Sequence, residues 1–239
     1  MENSIYLGLS RQMVLKTNMD IVANNIANMN TSGFRGQNPV FEEYLSDPRY
    51  GDDELSFVYD YGQYQMTSPG SMQQTENPFN VALSGPGFMG VQMPGGEIGY
   101  TRDGNFQKNA EGTLVNSSGW PVMGQGGPIT IPASATEISI DERGMISDQN
   151  GTIGQLQIVE FDNVQELEAR GNNLYTTDGA FTTATKTTAQ QGFLEGSNVN
   201  SVVEMTRMIE ILRDFQTTQK LLDSEHDRLR SAIQKLTRV

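Results

Sequence analysis

The residue types that carry most enzyme chemistry are scarce in this chain of 239 residues. It has no cysteine and a single histidine, His226, which excludes disulfides, Cys/His zinc sites, cysteine nucleophiles and Ser-His-Asp triads. Paired carboxylates could still act as a general acid and base, and one region holds five candidates: Asp141, Glu142, Asp148, Glu160 and Asp162. The sequence does not show whether any two of them lie together in the fold, and an acidic surface explains them without catalysis. We therefore predict no catalytic residue, cofactor site or metal site.

Two short motifs in the middle of the chain resemble ligand-binding loops. Residues 85–90 (GPGFMG) have the G-x-G-x-x-G spacing of dinucleotide-binding proteins, but the following VQMPGG cannot form the helix that would hold a pyrophosphate. Residues 148–151 (DQNG) resemble half of a calcium loop and lack the closing glutamate at the required spacing. We predict a tight turn between two strands at the first motif and a simple turn at the second.

The charge distribution divides the chain into three segments. The net charge is −13; residues 1–35 carry +1, residues 195–239 are neutral, and the middle carries −14. Binding to nucleic acid or to an anionic membrane is therefore not expected, because both require a basic surface. No apolar run is long enough to insert into a membrane. The opening MENSIYLGLSRQ also lacks the features of a cleaved signal peptide.

Both ends of the chain have helical periodicity. Between Ser4 and Met29 an apolar stripe follows spacings of three and four, which predicts a helix of about 25 residues that ends before Gly33. After Gly196 a longer stripe predicts a helix of about 38 residues, with Ser197 and Asn198 as capping residues. Its narrow seam favours a coiled-coil strand, and the alternative is a long amphipathic helix on a globular core. Neither helix can bury its stripe alone, so each should pair with the other or with other copies.

The middle of the chain has the pattern of a β domain. Turn dipeptides such as Asp103-Gly104 and Asn150-Gly151 separate short apolar runs, so we predict mostly antiparallel strands. The predicted strands are Val81–Leu83, Phe88–Met93, Ile98–Arg102, Gly112–Val115, Ile129–Ile131, Ile138–Ile140, Gln155–Phe161 and Asn173–Tyr175. The fold class is α+β, with an N-terminal helix in 1–34, an extended arm in 35–69, a β domain in 70–193 and a C-terminal helix in 194–239.

Four blocks of the sequence resemble one known family. The segment 23–34 (ANNIANMNTSGF) resembles the N-terminal signature of flagellar axial proteins, the subunits of rod and hook. Residues 70–88 and 100–122 resemble the central β-domain motifs of that family, and 194–216 resembles its C-terminal helix signature. The opening residues, the SNVN at 197–200 and the short length are most similar to the proximal rod subunits, with the distal rod subunits as the nearest alternative.

The resemblance implies a structural subunit of the flagellar basal-body rod, the drive shaft that transmits torque. It implies that the terminal helices pair as a coiled coil in an inner tube, and that the partners are other rod subunits, further copies of the chain and the type III export apparatus. It also implies export without a cleaved signal and a location in the rod, which crosses the periplasm. The expected assembly interface comprises Leu15, Met19, Val22, Asn24, Asn25, Ile26, Asn28, Gly33, Phe34, Ser197, Asn198, Val199, Val202, Met205, Ile209, Leu212, Leu222, His226, Leu229, Ile233 and Leu236.

Two functions from other classes stay open at this point. A carbohydrate-active or wall-binding β protein would need an aromatic-lined acidic cleft, and the single tryptophan, Trp120, lies beside Pro121 in a predicted turn. A surface adhesin with a coiled-coil stalk would carry a signal peptide, which the opening residues do not predict.

Overall fold

The computed structural model describes residues 2–46 and 55–236 and divides the chain into two compact units. The first, here called the helical unit, comprises residues 1–27, 37–64 and 200–239. The second, the β unit, comprises residues 28–36 and 65–199. The predicted α+β class is confirmed, since two long helices accompany a central antiparallel β region.

The helical unit contains two long helices, α1 (Glu2–Ala27) and α2 (Ser201–Leu236). They run antiparallel, because Gln12 donates a hydrogen bond to Gln219 while Asn25 donates to Glu204. Both predicted helices are confirmed. The predicted cap of α2 is wrong by two to three residues: Asn200, rather than Ser197 or Asn198, accepts the free N–H groups of the first turn.

The predicted arm contains two long strands in the helical unit. Strands β1 (Gln37–Ser46) and β2 (Leu55–Gln65) pair as a two-stranded sheet. The side chain of Ser10 in α1 donates a hydrogen bond to the carbonyl of Val58, which connects this sheet to the helix. Of the helices that the structure describes, neither combines the length and apolar character that a bilayer crossing requires.

The β unit is built from many short strands. In chain order they are β3 (Met72–Gln74), β4 (Val81–Ser84), β5 (Phe88–Gln92), β6 (Ile98–Thr101), β7 (Gln107–Lys108), β8 (Leu114–Val115), β9 (Met123–Gly124), β10 (Gly127–Pro128), β11 (Ser139–Ile140), β12 (Met145–Asp148), β13 (Gly151–Gln155), β14 (Ile158–Glu160), β15 (Glu168–Gly171), β16 (Leu174–Thr176), β17 (Thr182–Thr183), β18 (Thr188–Gln191) and β19 (Phe193–Glu195). The largest sheet has the order β15-β16-β6-β5-β14-β17, and every pairing with an assigned register is antiparallel.

Two apolar clusters form the core of the β unit. The larger cluster is centred on Phe106, Ile146 and Leu156, which are almost fully buried. The second is aromatic, with Phe88, Tyr100 and Phe161 packed edge to face. Neither cluster includes a described residue of α1 or α2.

Most predicted turns in the β unit are confirmed, and one predicted strand is displaced. The single strand predicted at Gln155–Phe161 is wrong, since β13 ends at Gln155 and β14 (Ile158–Glu160) belongs to a different sheet. Gly85 and Gly87 lie in the turn between β4 and β5, and Asn150-Gly151 connects β12 to β13. In place of the strand predicted at Ile129–Ile131, the structure has β10 at Gly127–Pro128 and an isolated bridge at Thr130. The apolar pattern identified the buried side chains Ile129 and Ile131 but not the backbone pairing.

Candidate assembly surfaces

The predicted apolar stripe of α1 forms the seam between the two helices. Leu15 and Val22 are buried against Ile211 of α2, and half-buried Met19 and Ile26 pack on the same cluster. Met208 and Phe215 complete it from the α2 side. The structure therefore brings together the four predicted residues of α1 with residues of α2 that the sequence interpretation did not select.

The face of α2 that meets α1 follows a heptad pattern, here called the inner stripe. Its members are buried or half-buried at alternating spacings of four and three: Glu204, Met208, Ile211, Phe215, Thr218, Leu222, Glu225 and Leu229. Leu222 lies so close to Gly8 that a Cβ at Gly8 would come within 2.6 Å of its Cδ2 atom. Polar residues at 204, 218 and 225 interrupt the apolar periodicity of the inner stripe. The stripe could be found in the sequence only by counting back from Leu222 in steps of four and three residues.

A second apolar stripe of α2, here called the outer stripe, faces away from α1. It consists of Val202, Met205, Ile209 and Leu212, with exposed fractions from 39% for Leu212 to 71% for Val202. Each of the last three follows an inner-stripe residue by one position, about 100° around the helix. The sequence interpretation assigned these four residues and Leu222 to one seam, and the structure places them on different faces.

The end of α2 carries the remaining predicted seam residues. His226 is exposed in the single chain, and Glu225 occupies the heptad position between Leu222 and Leu229 in the contact with α1. A place for His226 in a contact between subunits stays a prediction. Leu229 is half-buried and Ile233 is exposed. Leu236 lies outside the residues whose side chains the structure describes.

The asparagines of α1 have different environments. Asn25 is fully buried; its amide donates to the Gln37 carbonyl at 2.8 Å and to Glu204 at 3.1 Å, and its Oδ1 accepts the Gln37 N–H at 3.0 Å. These bonds lie within the chain, so Asn25 stabilises the helical unit. Asn24 is exposed, and half-buried Asn28 accepts a hydrogen bond from the Thr31 hydroxyl.

Three charged side chains form a buried-charge cluster in the β unit: Arg35, Arg102 and Glu195. The Glu195 side chain is 1% exposed, and its two oxygens lie 2.7 Å from Arg35 Nη2 and 3.2 Å from Arg102 Nη1. The two guanidiniums also donate to the backbone carbonyls of 67, 68, 83 and 85. The cluster thereby joins the segment after α1, the segment before α2 and the strand β6 region.

Burial is the main influence on the pKa values of the two guanidinium groups. Desolvation lowers the pKa of Arg102 to about 10, and the neighbouring Glu195 carboxylate opposes part of that effect. The pKa of Arg35 is lowered for the same reason, with the same opposing charge. Both groups stay protonated near neutral pH, so Glu195 faces two positive charges in a low-dielectric interior.

The other predicted interface residues of the β unit surround this cluster. Gly33 has a φ of +66° and donates its N–H to the Glu195 carbonyl at 2.7 Å, as predicted for a left-handed glycine. Asn198 accepts the Gly36 N–H and donates to the carbonyls of 66 and 68, and its own N–H donates to the Phe34 carbonyl. Ser197 accepts the Val199 N–H, so this group joins segments within the β unit.

Three of the five carboxylates considered for catalysis accept structural hydrogen bonds, and two of these three stabilise local turns. Asp141 accepts the N–H groups of Arg143 and Met145, Asp148 accepts those of Asn150 and Gly151, and Glu160 accepts from Thr187 and the Lys186 N–H. Glu142 and Asp162 are exposed. Within residues 2–46 and 55–236, no group of three His, Asp or Glu side chains could hold a metal ion.

Comparison with known proteins identifies the family. The family model described as "Flagella basal body rod protein" matches residues 5–35, "Flagellar hook protein FlgE/F/G D1 domain" matches 82–148 and "Flagellar basal body rod FlgEFG protein C-terminal" matches 190–235. The flagellar basal-body rod protein FlgF of Caulobacter vibrioides is 38% identical over the whole of both chains. The chain belongs to the flagellar basal-body rod protein family.

Relatives in that family include both rod types. FlgF of Mesorhizobium japonicum is 34% identical over 93% of this chain and 92% of its own length. FlgG of Buchnera aphidicola subsp. Schizaphis graminum is 32% identical over 95% of this chain and 96% of its own length. The predicted resemblance to rod proteins is thus confirmed, and FlgF is the better-supported type.

Proposed function

We propose that this chain is a structural subunit of the proximal rod that assembles through the outer stripe of α2. The observation that carries the proposal is the presence of two apolar stripes on one helix. The inner stripe is covered by α1 within the chain, whereas Val202 and Ile209 keep more than half of their surface exposed. Apolar stripes of this kind are typical of protein–protein contacts.

The outer stripe suits contacts between copies in a rod. It covers residues 202–212, about 15 Å along the axis of α2, and a helix of 36 residues holds it rigidly. A contact between this surface and a different surface of the next subunit is heterologous, and such contacts generate a helical assembly when they do not close. Burial of the stripe stabilises that contact by roughly 25 cal/mol per Å² of apolar surface.

The proposal gives the chain a structural rather than a catalytic role. Asp141 and Asp148 stabilise turns, Glu160 accepts from Thr187 and the Lys186 N–H, and the single histidine is exposed on α2. The proposed partners are other rod subunits and further copies of this chain, after delivery by the type III export apparatus without a cleaved signal. Its proposed place is the part of the rod that crosses the periplasm, where it transmits torque.

An Ile209→Asp variant tests the outer stripe. Because Ile209 is 51% exposed in the single chain, the new carboxylate stays hydrated there and the helix pair should keep its stability. In a subunit contact the same carboxylate would be buried without a partner, so incorporation into the rod should fall at least tenfold. Incorporation is measured by quantitative mass spectrometry of basal bodies purified from the source bacterium.

Thr217→Asp is the matched control. Thr217 is exposed on α2, about 80° further around the helix from Ile209, and the substitution introduces the same charge. It should leave incorporation close to that of the unmodified chain. Ile209→Asp subunits that enter basal bodies as efficiently as Thr217→Asp subunits would exclude the outer stripe as an assembly surface.

The same mass spectrometry distinguishes proximal from distal rod. Its stoichiometry relative to the other rod and hook subunits should be low for a proximal rod subunit. A high stoichiometry would assign the chain to the distal rod, the position that the FlgG relatives keep open. Absence from intact basal bodies would contradict a rod function altogether.

A further inference from the structure

The buried-charge cluster carries more positive than negative charge. Its two arginines face one carboxylate, and within the described residues their ion pairs are those to Glu195 alone. Asp103 follows Arg102 directly, but its Oδ1 accepts the Asn105 N–H and it forms no described ion pair with either guanidinium. The cluster therefore has a net charge of +1 in an interior where an uncompensated charge is costly.

The hydrogen-bonding capacity of the cluster is also incomplete. Arg102 is 3% exposed, yet its Nε–H group has no hydrogen-bond partner among the described residues. The Oε1 atom of Gln65 is also buried and has no hydrogen-bond partner among the described residues. Buried polar groups in folded proteins are normally satisfied, so an unpaired guanidinium donor indicates a group that accepts from it.

A small cavity lies against these groups. It has a volume of about 40 Å³ and is lined by Arg35, Arg102 and Gln65 together with the apolar side chains of Met66 and Phe88. The volume admits a small inorganic ion and excludes a peptide or a sugar. The two arginines make the potential in the cavity positive, which favours an anion over a cation.

We propose that this cavity binds a small inorganic monoanion of the size of chloride, held by Arg102 and the positive potential of Arg35. The anion accepts the hydrogen bond of the Arg102 Nε–H group and brings the charge of the cluster to zero. Rotation of the Gln65 amide by 180° would direct its NH₂ group toward the same ion, because the two ends of an amide have nearly the same shape. Anion binding then stabilises the site where the segments after α1 and before α2 meet.

Thermal unfolding of the full chain at constant ionic strength and pH tests this proposal. Sodium chloride is compared with sodium gluconate, whose anion is too large for the cavity. A ligand that binds only the folded state stabilises it by RT ln(1 + [L]/Kd), so chloride at several times its Kd should raise Tm by about 2–4 °C, and Tm should continue to rise with the logarithm of the chloride concentration. Equal Tm values in the two salts would overturn the proposal.

A Gln65→Glu substitution supplies the negative charge covalently. The backbone bonds of Gln65 to the Gln165 side chain do not involve the altered group, so the local fold should persist. We expect the chloride dependence of Tm to disappear in this variant and Tm in gluconate to rise. Gln63→Glu, an exposed position with the same change in charge, should keep the chloride dependence.

A second measurement is independent of the stability of any variant. In crystals of the unmodified chain grown with sodium bromide, anomalous scattering should show a bromide ion beside Arg102 Nε. Retention of the chloride dependence by Gln65→Glu, or crystals without an anomalous peak at this position, would refute the anion site. The proposal does not depend on the assembly surface, so its failure would leave the rod function unaffected.

Discussion

Replacement of Glu195 by glutamine tests how strongly the buried-charge cluster stabilises the β unit. Glutamine keeps the size of the side chain and one acceptor oxygen but removes the charge. In the unmodified chain the carboxylate lies within 3.2 Å of both guanidiniums and also accepts the Gly70 N–H at 3.1 Å. The variant therefore leaves two positive charges in the interior without an opposing carboxylate.

The expected loss follows from the burial of all three groups. Removal of one partner from a buried ion pair costs about 3–5 kcal/mol, because the remaining charge is uncompensated. The arginines are at most 5% exposed, so water does not screen them. Since the amide oxygen of glutamine can keep one hydrogen bond, we expect the lower end of that range, about 3 kcal/mol. This is a large fraction of the roughly 5–15 kcal/mol that stabilises a typical domain.

Urea unfolding followed by Trp120 fluorescence measures the loss. Trp120 is the single tryptophan of the chain and belongs to the β unit, so its signal reports this unit. A loss of about 3 kcal/mol lowers the midpoint by about 1–2 M urea at typical m values.

Glu168→Gln is the matched control for this experiment. Glu168 pairs with Arg170 at 3.4 Å, but both side chains are more than half exposed. Pairs of this kind contribute about 0–1 kcal/mol, so the midpoint should barely move. If Glu195→Gln lowered the midpoint no more than Glu168→Gln, the cluster would contribute no more than a surface pair and our electrostatic argument would be refuted.

Two further predictions concern a buried carboxyl group and the helix seam. Burial raises the pKa of Asp103 to about 6. The folded chain therefore retains a proton that the unfolded chain releases near pH 4. The free energy of unfolding should fall by about 3 kcal/mol as the pH rises from 4 to above 6. Asp103→Asn, which keeps the acceptor for the Asn105 N–H, should remove this dependence in pH-dependent urea titrations; an unchanged profile would assign it to another group. Leu222 packs on Gly8, so Leu222→Asp should lower the free energy of unfolding of the helix pair by about 2 kcal/mol or more. Unfolding followed by far-UV circular dichroism measures this loss, and Trp120 fluorescence should stay unchanged. Leu221→Asp, at an exposed neighbour, is its control, and equal effects of the two variants would show that the seam is misplaced.

Local patterns predicted the secondary structure well because each depends on neighbouring residues. The spacing of Leu15, Met19, Val22 and Ile26 identified both the helix and its buried face. Glycine-containing dipeptides located the turn between β12 and β13 in the same way. The strand expected at Ile129–Ile131 was displaced because burial of a side chain does not specify which backbone groups pair.

The apolar residues of α2 alone did not show which face of the helix packs against α1. Apolar side chains occupy both the inner and the outer stripe, and the true seam includes Glu204, Thr218 and Glu225. Glu204 is tolerated in the seam because Asn25 and Arg207 satisfy its oxygens, and the bond from Asn25 exists only once the helices are paired. The sequence interpretation placed His226 rather than the neighbouring Glu225 on the seam, since the spacing of apolar residues does not show which of two adjacent polar residues faces α1.

The sequence by itself determined the class of this protein. Its composition excluded most catalytic chemistry, its periodicity fixed two terminal helices around a β region, and four local blocks identified the rod protein family. The tertiary structure alone decided which stripe of α2 stays exposed and that Glu195 meets Arg35 and Arg102. Contacts between residues far apart in the chain depend on how the elements pack, and no local pattern in the sequence specifies that packing.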